Sequence, residues 1–136
     1  MGHKAFAASH LIYLARLDAA NGDVDRAAEH IADGLAAVQE AGEHLHLPGL
    51  LHLRAAYALA QGAAADQPIA DLREAIRLAI EQGARVTRLR AALELARIPP
   101  ASRPDDWRGT LAEARLDLPP SFKTEQTVAA DVLLDR

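Results

Sequence analysis

The chain has 136 residues, 31 of them Ala and 20 Leu, with 50% apolar and 25% charged residues and a formal net charge of −4. That balance fits one globular domain able to bury a core without a disulfide or metal staple. The absence of Cys excludes a disulfide framework, thiol catalysis and thiolate metal centres. The apolar runs are too short for a membrane span, and the negative charge argues against a dedicated nucleic-acid binder. No apolar leader-like stretch opens the chain, so the cytoplasm is the expected compartment.

The dominant residue types favour helix, whereas five Val and six Ile, with no alternating run between turns, are too few for a sheet. Gly and Pro cut the chain into helix-length pieces. Residues 4–21 carry Phe6, Leu11, Leu14, Ala15 and Leu17, and Asn21-Gly22 stops that helix. Asp23 is the expected N-cap of the next, over 24–41, where Ala27, Ala28, Ile31, Leu35 and Val38 recur at spacings of three and four. Gly42 is its expected C-cap, and Glu43 to Leu47 connect to a third helix. Pro48 suits the first turn of that helix, and Gly62 ends it. Pro68 opens a fourth helix with Ile69, Leu72, Ala75, Ile76, Ala79 and Ile80, closed by Gly83. A fifth over 85–98 stops at Pro99-Pro100. Ser102 or Arg103 is expected to cap a sixth, with Pro104, Asp105 and Asp106 in its first turn, ending near Leu118. A last helix over 123–134 has Thr124 as cap, with Val128, Val132 and Leu133 facing inward.

The sequence repeats itself. Leu53-Arg-Ala-Ala-Tyr-Ala-Leu-Ala60 and Leu89-Arg-Ala-Ala-Leu-Glu-Leu-Ala96 agree at six of eight positions. Leu11-Ile-Tyr-Leu-Ala-Arg16 is a looser copy. Ile31, Gly34, Leu35 and Gly42 correspond to Leu72, Ala75, Ile76 and Gly83. The expected fold is therefore all-α. It is an α-solenoid of three helical hairpins in one domain, at about 4–42, 48–83 and 84–118, with a capping helix at about 123–134. Small residues at Ala15, Ala27, Gly34, Ala60, Ala75 and Ala96 would let helices approach closely.

On these residues the first hairpin, with Leu14-Ala15, Gly22-Asp23, Ala27, Ile31 and Gly34, resembles a tetratricopeptide repeat. The later stretch runs Leu72-x-x-Ala75-Ile76-x-x-Ala79, Gln82-Gly83-Ala84, Leu89-Arg90-Ala91-Ala92 and Leu95-Ala96-Arg97. It goes on with Ala112-Glu113-Ala114-Arg115, Phe122-x-Thr124-Glu125 and Leu133-Leu134. This is similar to the C-terminal tetratricopeptide-like module of bacterial class III adenylate cyclases and of LuxR- and AfsR-type ATPase regulators. The resemblance implies an interaction or regulatory module of bacterial signalling. No cyclase, ATPase or DNA-binding segment accompanies it here, so it does not imply the family's enzymology.

Candidate chemistry is sparse. No phosphate-binding Gly-rich loop occurs, and Ser9, Ser102 and Ser121 sit in no nucleophile elbow. His44-x-His46 with His52 is the densest imidazole group, but a polar connector explains it better than a metal site. Asp105-Asp106 reads as helix-end charge, and Trp107 as packing between the fifth and sixth helices. No catalytic residue, cofactor or metal is expected.

The repeat register is more informative. Aligned on their Leu-Ala step, the odd-numbered helices set Arg16, Gln61 and Arg97 in one column, Ile12, Tyr57 and Leu93 in a second, and Ser9, Arg54 and Arg90 in a third. In a tetratricopeptide-like superhelix these columns line the concave face. They would form an apolar stripe flanked by Arg, suited to a peptide with apolar anchors and carboxylates. The competing reading is a solvated face, with Arg54 and Arg90 paired to carboxylates of neighbouring helices. The expected function is a non-enzymatic scaffold that binds another protein or an acidic peptide. Self-association into a homodimer is a variant. The alternatives are a small-ligand sensor, with Tyr57, Arg54 and Arg90 as contacts, or a C-terminal piece of a larger cyclase- or ATPase-type regulator.

Overall fold

The computed structural model describes residues 2–135, with side chains described from residue 7 onward. The helices are α1 (Gly2–Ala20), α2 (Val24–Ala41), α3 (Leu47–Ala60), α4 (Asp66–Gln82), α5 (Arg85–Ala96), α6 (Trp107–Leu116) and α7 (Glu125–Leu133). Among the described residues there is no strand. No helix there is long and apolar enough to cross a membrane. Each helix packs on the next in sequence, and beyond that order α3 touches α5 and α5 touches α7.

The patterning explains the order. Helix α2 buries one stripe, Ala27, Ile31, Gly34 and Val38, flanks it with half-buried Ala28 and Leu35, and exposes most of the rest. Helix α4 likewise buries Pro68, Asp71, Leu72, Ala75 and Ala79, with Ile69, Ile76 and Leu78 half-buried against the neighbouring cores. Helices α3 and α5 are apolar on two sides, so each must be covered twice. Leu50, Leu53 and Tyr57 of α3 join a core with α1 and α2. Leu51 and Ala55, from its other side, join Leu72 and Ala75 of α4 and Ala91 and Leu95 of α5. Helix α5 then turns Leu89, Ala92, Leu93 and Ala96 toward α6 and α7. The result is three successive three-helix cores joined through α3 and α5.

The repeat-equivalent residues take equivalent places. Ile31 and Leu72 are fully buried, Gly34 and Ala75 are buried beside them, and Leu35 and Ile76 are half-buried. Gly42 (φ 68°) and Gly83 (φ 69°) end α2 and α4 in the left-handed conformation that glycine adopts without a Cβ clash. Asp23 caps α2, its Oδ1 accepting from the Arg26 N–H at 3.2 Å.

Several local expectations are corrected. Helix α6 begins at Trp107, so Pro104, Asp105 and Asp106 precede its first turn. The N-cap position falls on Asp106 rather than on Ser102 or Arg103, and the Asp106 side chain makes no cap bond. It instead takes both arms of Arg73 from α4, at 3.1 Å each. Ion pairing with a residue far away in sequence has displaced the local cap. On α7, Val128 and Val132 point to solvent, at 52% and 70% exposure, and Leu133 is half-buried. The buried face is Thr127 and Ala130, followed by Leu134. Leu17, Ile80 and Ala60 are exposed as well. The Phe6 side chain lies outside the described residues.

The phase of α7 follows from its first turn. Thr124 Oγ1 accepts from the Thr127 N–H at 3.1 Å, and Thr127 Oγ1 accepts from the Thr124 N–H at 2.8 Å. Thr127 is fully buried, so this reciprocal box sets the face that meets α5 and α6. Thr124→Ala is expected to lower stability by about 1 kcal/mol, read as a lower urea midpoint at unchanged slope.

Candidate functional site

A cleft of about 320 Å³ opens where the odd-numbered helices meet. Arg16 of α1, His52 and Leu53 of α3, Arg90, Leu93 and Glu94 of α5, Arg97 just after α5, and Gln126 of α7 line it. The even-numbered helices contribute nothing to it. A second hollow, of about 470 Å³, shares Glu94 and Arg97 with the first. Its further walls include Ala56, Leu59 and Ile98, so it is largely apolar.

The arginines of the chain divide sharply. Arg26, Arg54, Arg73, Arg77, Arg85, Arg88 and Arg115 each face a carboxylate. Arg103 donates to the Ala96 carbonyl at 3.0 Å. Arg103 and Arg108 also cover the Trp107 ring, at 4.1 and 5.1 Å from its centroid. Among the described residues, Arg16, Arg90 and Arg97 are the arginines left without such a partner, and all three line the cleft.

An unpaired arginine on open surface costs nothing, because water solvates it. Arg90 is different, since it is only half-exposed. Burial and the like charge of Arg16 both hold its pKa below the usual arginine value. It stays protonated, so the cleft contains mutual repulsion that an anion would relieve. Glu94 is the one carboxylate on the wall. Its Oε1 lies 3.5 Å from His52 Nε2.

The expected groove residues separate into three fates. Arg16, Arg90, Leu93 and Arg97 come together in the cleft. Arg54 does not join them. Its Nε and Nη2 donate to Asp71 at 2.7 Å each, which raises its pKa. Gln67 also donates to Asp71, at 3.0 Å. Gln61 donates to Asp25 of α2 at 2.8 Å. Tyr57 is buried in the first core, where burial pushes its phenol up and the Arg16 charge pulls it down. Ile12 packs against that same core, and Ser9 is exposed away from the cleft. The continuous apolar stripe is therefore core packing, and the accessible part of the groove is cationic.

Arg54 and Arg90 differ in what the sequence offers 17 residues further on. Arg54 finds Asp71 at a separation of 17 residues. Trp107 occupies the same separation from Arg90, and an indole offers no carboxylate. Among the described residues, Arg90 has no bonded carboxylate, and it lines the cleft.

His52, Glu94 and Gln126 were not among the expected residues. Glu94 was legible, because Arg90, Leu93, Glu94 and Arg97 stand at i, i+3, i+4 and i+7 on one helical face. His52 stands out as a polar residue within Leu50-Leu51-His52-Leu53. Gln126 reaches the cleft through the docking of α7, which no local pattern reports. Among the described residues, no group of three or more His, Asp or Glu side chains gathers as metal ligands. His44 and His46 stay in the connector, where the His44 carbonyl accepts from Gln82 at 2.8 Å. Trp107 is half-buried against the α5–α6–α7 core.

Fold and cleft together define an all-helical protein with sequential packing and a cationic cleft on its odd-numbered helices. No protein-family model, curated protein or solved structure matches the chain.

Proposed function

We propose that the chain is a non-enzymatic binding module, an α-solenoid of three tetratricopeptide-like hairpins and a capping helix, that holds an acidic segment of another protein on its concave face. The observation that carries this is the gathering of Arg16, Arg90 and Arg97 in one cleft, none of them ion-paired among the described residues and with Glu94 as the single carboxylate on the wall. Sequential packing with additional α3–α5 and α5–α7 contacts supports the solenoid reading. In such a stack the odd-numbered helices crowd on the inside. The apolar hollow that continues past Arg97 supports an extended ligand, with room for an apolar side chain beside the anionic one. The resemblance to the helical modules of bacterial cyclase and ATPase regulators favours a regulatory setting.

The test is a pull-down from source-cell lysate with wild type beside Arg16→Glu/Arg90→Glu/Arg97→Glu, read by mass spectrometry. Proteins retained by wild type and lost by the variant are expected to carry acidic segments. Their capture is expected to weaken as salt rises, since the contacts are partly exposed and screened. Equal retention by both proteins would remove the cleft from the function. The charge reversals are expected to leave the helical circular dichroism unchanged, because none of the three arginines holds a folded-state partner.

A further inference from the structure

We propose that the cleft recognises a phosphomonoester dianion, carried on a side chain of the bound segment, and so reads the phosphorylation state of its partner. This rests on the reading of the chain as a peptide-binding module and names the chemistry of its anchor.

The argument is one of charge and geometry. Arg16, Arg90 and Arg97 bring three positive charges to the cleft and Glu94 brings one negative charge, a local excess of two. A single carboxylate leaves half of that excess uncompensated. A phosphate ester carries about −1.5 to −2 at neutral pH and has three strong acceptor oxygens. Guanidinium is the cation whose planar fork matches tetrahedral oxyanions in two-bond contacts. The three forks approach from two helices, with Arg16 on α1 and the others on or next to α5. An oxyanion between them would be gripped from both sides. The cavity is at the small end of ligand-site volumes. It suits a phosphate and the residue that bears it, with the neighbouring apolar hollow open to the next side chain.

Glu94 supplies an internal control. It lies on the same wall as Arg90 and Arg97 and repels any anion that enters. Removing its charge is expected to strengthen phosphate binding, whereas a purely structural arginine cluster would lose its only local counter-charge and gain nothing.

The experiment is fluorescence anisotropy of short labelled peptides in phosphate-free buffer. One peptide carries a phosphoserine followed by leucine. The others replace the phosphoserine by serine or by glutamate, and free inorganic phosphate and adenosine monophosphate compete. The phosphopeptide is expected to bind about 30-fold tighter than the serine peptide and at least tenfold tighter than the glutamate peptide. Arg90→Met, which keeps the apolar stem, is expected to lose about 30-fold, and Glu94→Gln to gain about threefold. Arg90→Met is also expected to melt no lower than wild type, because it removes the repulsion with Arg16.

Equal affinity for the phosphoserine and glutamate peptides would overturn the phosphate assignment and leave the acidic-segment reading standing. Displacement by free phosphate or nucleotide at the phosphopeptide's own affinity would overturn the peptide as its source. Absence of binding by every peptide would overturn both.

Discussion

Replacing Arg115 by Ala is expected to lower the stability of the protein by about 3 kcal/mol, and its melting temperature by about 10 °C. Arg115 is 6% exposed, the most deeply buried cation among the described residues. Its Nε and Nη2 donate to Asp131 of α7 at 2.9 and 3.4 Å. Its Nη1 donates to the carbonyls of Leu118 and Pro119 at 3.3 and 3.4 Å. One side chain thus ties the end of α6, the α6–α7 connector and α7 together. Its loss leaves a largely buried carboxylate and two carbonyls with fewer partners. Arg77→Ala is the comparison. Arg77 bonds Glu74 and Glu81 on its own exposed helix face, and its removal is expected to leave the melting temperature nearly unchanged, because water and salt screen those pairs. Thermal unfolding of both variants checks the contrast. Equal shifts would show that α7 is held by its apolar contacts alone. Because Gln126 of the cleft stands on α7, Arg115→Ala is also expected to weaken ligand binding without touching a cleft arginine.

Leu50→Ala is expected to cost about 3–4 kcal/mol. Leu50 is fully buried in the core of α1, α2 and α3. Its truncation opens a void that three packed helices can close only by moving. Gly34 sits opposite. A Cβ at that position would stand 2.8 Å from Leu50 Cδ2 and 3.7 Å from Leu11 Cβ. Gly34→Ala therefore gains about 1 kcal/mol of helix propensity and loses more to overpacking, for a net cost of about 1 kcal/mol. In the double variant the new methyl enters the space that Leu50 vacates. The cost of the double variant is then expected to fall short of the sum of the two single costs by about 1 kcal/mol or more. Urea unfolding of the two single variants and the double checks this cycle. Strict additivity would mean that the two residues do not share one space.

The same non-local logic decided the cleft. The alignment of odd-numbered helices treated Arg54 and Arg90 as equivalent, and as local sequence they are. One finds Asp71 across the helix pair, and the other lines the cleft with no carboxylate bonded to it. Tyr57 and Leu93 were equivalent in the same way. Tyr57 is enclosed by the first core, while Leu93 belongs to the α5–α6–α7 core and still touches the cleft wall. A repeat alignment assigns faces, but the partner on each face comes from a different helix at each step. Ionic neutrality is set by that partner.

By itself, the sequence determined the number of helices, their order and nearly all of their ends. Those features depend on interactions within a few residues. Examples are the left-handed glycines at 42 and 83, the Asp23 and Thr124 caps, and the three- and four-residue spacing of Ile31, Gly34 and Val38. Only the tertiary structure decided where Asp106 bonds and which arginines remain without an ion-pair partner. Each of those outcomes is a competition between a local preference and a contact many residues away. Arg73 and Asp71 won those contests through two-bond ion pairs with Asp106 and Arg54, stronger than a single local bond.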